Sequence, residues 1–149
     1  MPEGAPDLIA IEHDDHHAEH IGVLPDGRQF FLTTPFVPAR GSEQGGEFVA
    51  LYLFSADGNL LDARIESFGP RSTLDEALRR RTYGQWLTDL GDVSFERIEI
   101  APFSVDRFGT SFGLIAQPPE EEDDQWTVTC EPGNYMAFYE PWDSGDYDT

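Results

Sequence analysis

The sequence predicts an α+β fold: a mostly antiparallel sheet built from hairpins, with one broken helical segment packed on it. Three observations lead there. Turn residues interrupt β-favouring runs at Pro25-Asp26-Gly27, Asp57-Gly58-Asn59 and Pro132-Gly133-Asn134, and Pro presets φ while Gly accepts the positive φ that such turns need. Only residues 73–90 read as helical by composition. No regular alternation of strand and helix runs along the chain, which argues against a doubly wound parallel sheet.

Each element has its own signal. Leu8, Ile9 and Ile11 mark a first strand within residues 7–12. Residues 21–24 and 28–34 flank the Pro25-Asp26-Gly27 turn as a hairpin, and Pro35 and Pro38, lacking ladder donors, are expected to end its second strand. Residues 47–55 are almost continuously apolar (Phe48, Val49, Leu51, Tyr52, Leu53, Phe54), as in a strand buried on both faces. The chain then returns over residues 60–67. Ser72 or Thr73 can cap a helix whose first turn carries Asp75 and Glu76. That helix has conflicting phase. Leu74, Ala77 and Leu78 share one face, whereas Tyr83, Trp86, Leu87 and Leu90 lie nearly opposite. A straight surface helix cannot bury both sets against one sheet, so a break is expected near residues 82–84, at Gly84; a helix buried on both sides is the alternative.

Residues 93–101 alternate, with a change of side between Phe95 and Ile98 that suggests a bulge. Residues 103–106 and 111–117 form a further hairpin, and residues 126–130 and 135–139 a last one. Phe48, Leu51, Leu53, Ile65, Leu78, Ile98, Ile100, Phe112 and Leu114 are expected to share one core between the sheet and the helical segment.

The 149 residues suit one domain, residues 1–149, carrying an acidic, aromatic segment at 140–149. Aromatics make up 13% of the chain, too much large apolar surface for a disordered polymer. The start, Met1-Pro2-Glu3-Gly4, has neither the basic nor the apolar region of a secretory signal, and a single cysteine, Cys130, excludes an internal disulfide. A cytoplasmic protein is expected. The formal net charge is −20, and all nine cations are arginine. Such a field repels nucleic-acid phosphates and anionic membranes and suits a basic protein surface, a cationic ligand or a divalent metal; the plainer reading is that it keeps the chain in solution.

Three constellations stand out. All four histidines, His13, His16, His17 and His20, fall within eight residues, beside Asp14, Asp15 and Glu19. On a helix they would share a face and offer neutral imidazoles to a transition metal, although the spacing matches no standard zinc motif. The alternative is a solvated polar loop. Second, from Phe108 onward there are ten carboxylates and no arginine. Of these, Glu120, Glu121, Glu122, Asp123, Asp124, Asp143, Asp146 and Asp148, together with Trp142 and Tyr147, form a candidate partner-binding set. Third, Arg79-Arg80-Arg81 can form a phosphate patch or pair with the surplus carboxylates. Large aromatics gain from burial, so the terminal segment is expected to dock through Trp142 and Tyr147 on Arg79, Arg80 or Arg81. Catalytic templates do not fit: Cys130 has no cationic helper nearby in sequence, no serine sits in a nucleophile elbow, and a phosphate-loop lysine is impossible without lysine.

The stretches Ile21-Gly22 with Asp26-Gly27-Arg28-Gln29-Phe30, Leu53 to Asn59, Ile98 to Phe103, Phe112-Gly113-Leu114 and the ending Glu140-Pro141-Trp142-Asp143 with Tyr147-Asp148-Thr149 resemble a bacterial family, some of whose members carry the label formate hydrogenlyase regulatory protein. The resemblance spans most of the chain. The histidine stretch and the run 120–124 lie outside it. It implies a regulator and brings no catalytic residue, cofactor or substrate. With no helix-turn-helix and no basic reading surface, regulation through protein contacts is the expectation: a non-catalytic binding module whose acidic C-terminal half engages a basic partner. A metal-dependent binding protein or enzyme built on the histidines is the second reading.

Overall fold

A computed structural model describes residues 6–15, 17–39, 41, 44–122, 124–133 and 136–148. The strands are β1 (Ile9–Ile11), β2 (His20–Val23), β3 (Gln29–Thr33), β4 (Phe36–Val37), β5 (Gly46–Phe54), β6 (Leu60–Ser67), β7 (Ser94–Phe95), β8 (Ile98–Ile100), β9 (Phe103–Arg107), β10 (Thr110–Gln117), β11 (Thr127–Glu131) and β12 (Ala137–Phe138). A 3-10 turn (Arg71–Thr73) and one helix, α1 (Glu76–Asp89), join β6 to β7. Every strand pairing is antiparallel.

Three sheets result. β5 is the centre of a six-stranded sheet: β6 lies along one side of it, β3 and β4 along the other, and β2 and β7 continue beyond β3. β9 to β12 form a four-stranded meander, and β1 pairs with β8 in a two-stranded sheet. Strand alternation then builds two cores rather than the single one expected. Phe48, Ala50, Tyr52 and Phe54 of β5 face the two smaller sheets, among Ile98, Ile100, Phe112, Leu114, Val128 and Phe138. Val49 and Leu51, from the other face, pack with Phe30, Leu32 and Trp86 of α1, and Leu53 joins them. This double burial is why β5 is apolar at successive positions. Leu78 belongs to neither core and is 41% exposed.

The helix is continuous through Gly84 and has no break. Its phase conflict is resolved by surrender of one face: Ala77 and Leu78 are exposed while Trp86 is buried, with Tyr83, Leu87 and Leu90 packed beside it. The N-cap is Asp75, whose carboxylate accepts from the Leu78 N–H at 3.0 Å, not Ser72 or Thr73. Arg64 of β6 stacks 4.3 Å over the Trp86 ring, closing the helix-side core.

The prolines fall where strands end, as expected: β3 stops at Thr33 before Pro35 and β4 at Val37 before Pro38. The edge still keeps one register across Pro35, with Thr33 opposite Ala50 and Phe36 opposite Glu47, and the Pro35 carbonyl accepts from Phe48 N–H at 3.0 Å. Proline removes a donor, but its acceptor still serves the ladder. The change of side in residues 93–101 is a change of sheet, since β7 pairs with β2 and β8 with β1. β7 approaches β2 so closely that a Cβ on Gly22 would sit 1.9 Å from the Ser94 carbonyl oxygen.

The terminal segment folds back on the domain. Ala10 N–H donates to Trp142 O at 2.9 Å, Glu12 N–H to Gly145 O at 3.1 Å, and Ala137 and Asp148 exchange backbone bonds of 2.9 Å. Trp142 and Tyr147 pack against the larger core. The host is β1 and Arg97, whose Nη2 donates to Asp143 O at 2.6 Å, rather than Arg79, Arg80 or Arg81. Backbone groups of Ala10, Glu12 and Ala137 and the Arg97 guanidinium receive the tail, not the arginines of the helix. Among the described residues no helix is long and apolar enough to cross a membrane.

Candidate functional site

Residues 12–19 are not helical where described, so the histidines do not share a helix face. His13 is exposed, donates through Nε2 to the Glu19 carbonyl at 2.7 Å and stacks on Phe95. The His17 ring lies beside Tyr147, whose hydroxyl oxygen accepts from the His17 backbone N–H at 3.3 Å. His20, in β2, shares a hydrogen bond with the Tyr83 hydroxyl of α1, and its Nε2 is 3.4 Å from Glu19 Oε1. His16 lies outside the described residues. Among the described residues no group of three or more His, Cys, Asp or Glu side chains is gathered as a metal would need. Burial lowers the His20 pKa below its ordinary value, with Glu19 opposing and His13 reinforcing the shift. Burial also raises the Tyr83 phenol, helped by Glu19.

His20 and Tyr83 form one wall of a cleft of about 540 Å³ between α1 and the β3–β4 edge. Its floor is Glu47 of β5, whose side chain is 5% exposed. Glu47 Oε1 accepts from Arg71 Nη2 and from Arg79 Nη1, each at 3.1 Å. Arg79 Nη2 donates to Glu76 at 2.6 Å, and Arg80 Nε stands 3.6 Å from the same carboxylate oxygen. Arg79 and Arg80, read from sequence as a possible patch or as partners of surplus acids, thus do pair with acids. Arg71 joins them from the 3-10 turn. Glu47 carries no sequence signal beyond being a charge in an apolar strand.

The acidic C-terminal residues occupy a different surface. Glu120, Glu121, Glu122 and Asp124 are exposed in the β10–β11 connection; Asp123 lies outside the described residues. Glu120 and Asp124 line a hollow with Tyr139, which is 37% exposed. A second hollow is lined by Glu99, Glu140 and Asp143 with Leu8 and Trp142. The consecutive residues Tyr139 and Glu140 line one each, and among the described residues no arginine lines either. Among the described residues none of these carboxylates makes an ion pair. Asp146 and Asp148 are exposed further along the tail. Tyr147 is turned inward, its hydroxyl donating to Asp14, and burial with that bond pushes its pKa up to about 12. Tyr139, outside the expected binding set, is the exposed aromatic beside the acids. Its place on the outer side of the β12 end was not legible without the β11–β12 register.

Compared with known proteins, the chain matches no family model, no curated protein and no solved structure.

Proposed function

We propose that the chain is a non-catalytic binding module that engages a basic protein surface through the acidic face centred on Tyr139 and Glu140, in keeping with a regulator acting by protein contact. One observation carries the reading: two hollows, reached by the consecutive residues Tyr139 and Glu140, are lined by Glu120 and Asp124 with Tyr139 and by Glu99, Glu140 and Asp143 with Leu8 and Trp142, and among the described residues no arginine lines either. Carboxylates steer and orient a cationic partner. A partly exposed aromatic and aliphatic centre supplies the area that fixes it.

The test is affinity capture from the source cells with the parent chain, a triple variant (Glu120→Arg, Asp124→Arg, Glu140→Arg) and a control reversed elsewhere (Glu66→Arg). A basic protein retained by parent and control, lost from the triple variant and released by salt is the expected result. Equal retention by the triple variant sinks the proposal.

A further inference from the structure

The cleft beside α1 carries chemistry that the acidic face does not use. Three of the nine arginines of the chain, Arg71, Arg79 and Arg80, line it. They share two carboxylates, Glu47 and Glu76, and Glu19 also lines the cleft, so three guanidinium groups balance three carboxylates there, on a chain whose formal net charge is −20. Each guanidinium has five donors, and most of those on Arg71 and Arg80 are unspent: these side chains are 76% and 80% exposed.

Fastening α1 to β5 explains Arg79, which is 19% exposed and bonded to both carboxylates. It does not explain Arg71 and Arg80, because exposed ion pairs contribute little to stability. Nor does it explain Gly84. A Cβ there would meet nothing within 4 Å, so packing does not require glycine, and glycine inside a helix is less stable than alanine. Its effect is to leave the helical wall of the cleft open.

The floor adds a second requirement. Both arginine contacts fall on Glu47 Oε1, and among the described residues Oε2 accepts no hydrogen bond. Because no fully buried side-chain oxygen is left unpartnered there, Oε2 is reached from the cleft that Glu47 lines. A bare anion would be repelled by that oxygen. A ligand that also carries a donor would satisfy it.

We infer that the cleft binds a small molecule bearing an oxyanion, carboxylate or phosphate, together with an amine or hydroxyl donor. The oxyanion lies against Arg71 and Arg80, the donor meets Glu47 Oε2, and Phe36 and Tyr83 flank the body of the ligand. The site is independent of the partner face proposed above.

A matched panel tests this by NMR titration of the whole chain at low salt: propionate, lactate and alanine for the carboxylate series, inorganic phosphate and phosphoethanolamine for the phosphate series. Within at least one series the donor-bearing members are expected to bind about tenfold more tightly than the donor-free member, with shifts centred on Tyr83, Gly84 and Thr34. The series that binds identifies the source of the oxyanion. Arg71→Gln and Arg80→Gln, at exposed positions, should each weaken the best probe about tenfold. Gly84→Leu should abolish binding while raising the melting temperature, which separates a blocked cleft from an unfolded chain. Absence of cleft shifts with every probe, equal binding by donor-free and donor-bearing members, or unchanged affinity in both arginine variants would overturn the inference.

Discussion

Glu47 is the residue whose removal says most about how α1 is held. Its side chain is 5% exposed and bonded to Arg71, 76% exposed, and to Arg79, 19% exposed. The Arg71 contact is a surface pair, so Arg71→Ala should cost under about 1 kcal/mol. The Arg79 contact is largely buried, and deleting one member of such a pair costs about 3–5 kcal/mol because the other charge is stranded. Arg79 retains Glu76 at 2.6 Å, which places Glu47→Ala near the lower end, about 3 kcal/mol. Arg79→Ala strands Glu47 beside a single exposed arginine and should cost about as much. The double variant strands neither charge, so its cost should fall short of the sum by about 1–2 kcal/mol. Urea melts followed by fluorescence, with buried Trp86 as reporter, measure all three. Single costs that add to within about 0.5 kcal/mol would show that the two side chains do not act as a pair, and the account of the cleft floor would fail with it.

Two other outcomes are expected. Deleting residues 140–149 removes the backbone bonds to Ala10, Glu12 and Ala137 and the Trp142 and Tyr147 packing, at about 0.5–1.5 kcal/mol per bond before the aromatics are counted; a melting temperature equal to the parent's would mean that the tail is not held. For His20, burial holds the folded pKa below the ordinary 6.5, so the unfolded chain takes up the proton more readily. The His20 contribution is therefore complete above about pH 6.5 and is lost as pH falls toward the folded value, with a slope of at most about 1.4 kcal/mol per pH unit. A His20→Gln variant should lack that slope in urea melts across the window, and an unchanged slope would assign it to other groups.

What the sequence disclosed was local. The hairpins at Gly27 and Gly58 follow from turn chemistry acting on a few neighbouring residues, and β5 from an apolar run too dense for one face. What it hid was set by distant partners. Whether Leu78 or Trp86 faces inward depends on which side of α1 meets β5, and the helix alone contains both answers. Residues 93–101 alternate like one strand, but only the separate positions of β1 and β2 show that the chain changes sheet after Phe95. The cleft joins Glu47 to Arg79 across a sequence separation of 32 and His20 to Tyr83 across 63, and no motif spacing records such distances. The histidine stretch shows the converse: without a helix, proximity in sequence leaves His13 and His20 sharing Phe95 and Glu19 while His17 turns to Tyr147.

The distribution of arginine connects these sites. Six arginines in the first two-thirds of the chain are engaged at home: Arg28 with Asp26, Arg64 over Trp86, Arg71, Arg79 and Arg80 in the cleft, Arg97 with Glu12 and the tail. The Asp143 carbonyl is served by Arg97, but the carboxylates of the C-terminal face receive no guanidinium in an ion pair among the described residues. Their mutual repulsion opposes the compact state, and added salt relieves it. The same salt weakens the attraction of that face for a cationic partner. Stability and partner affinity must then respond to ionic strength in opposite directions. Release of a captured protein by salt therefore cannot be ascribed to relief of self-repulsion or to unfolding of the chain. It reports the contact itself, and the charge excess that destabilises the isolated domain is what a basic partner would neutralise.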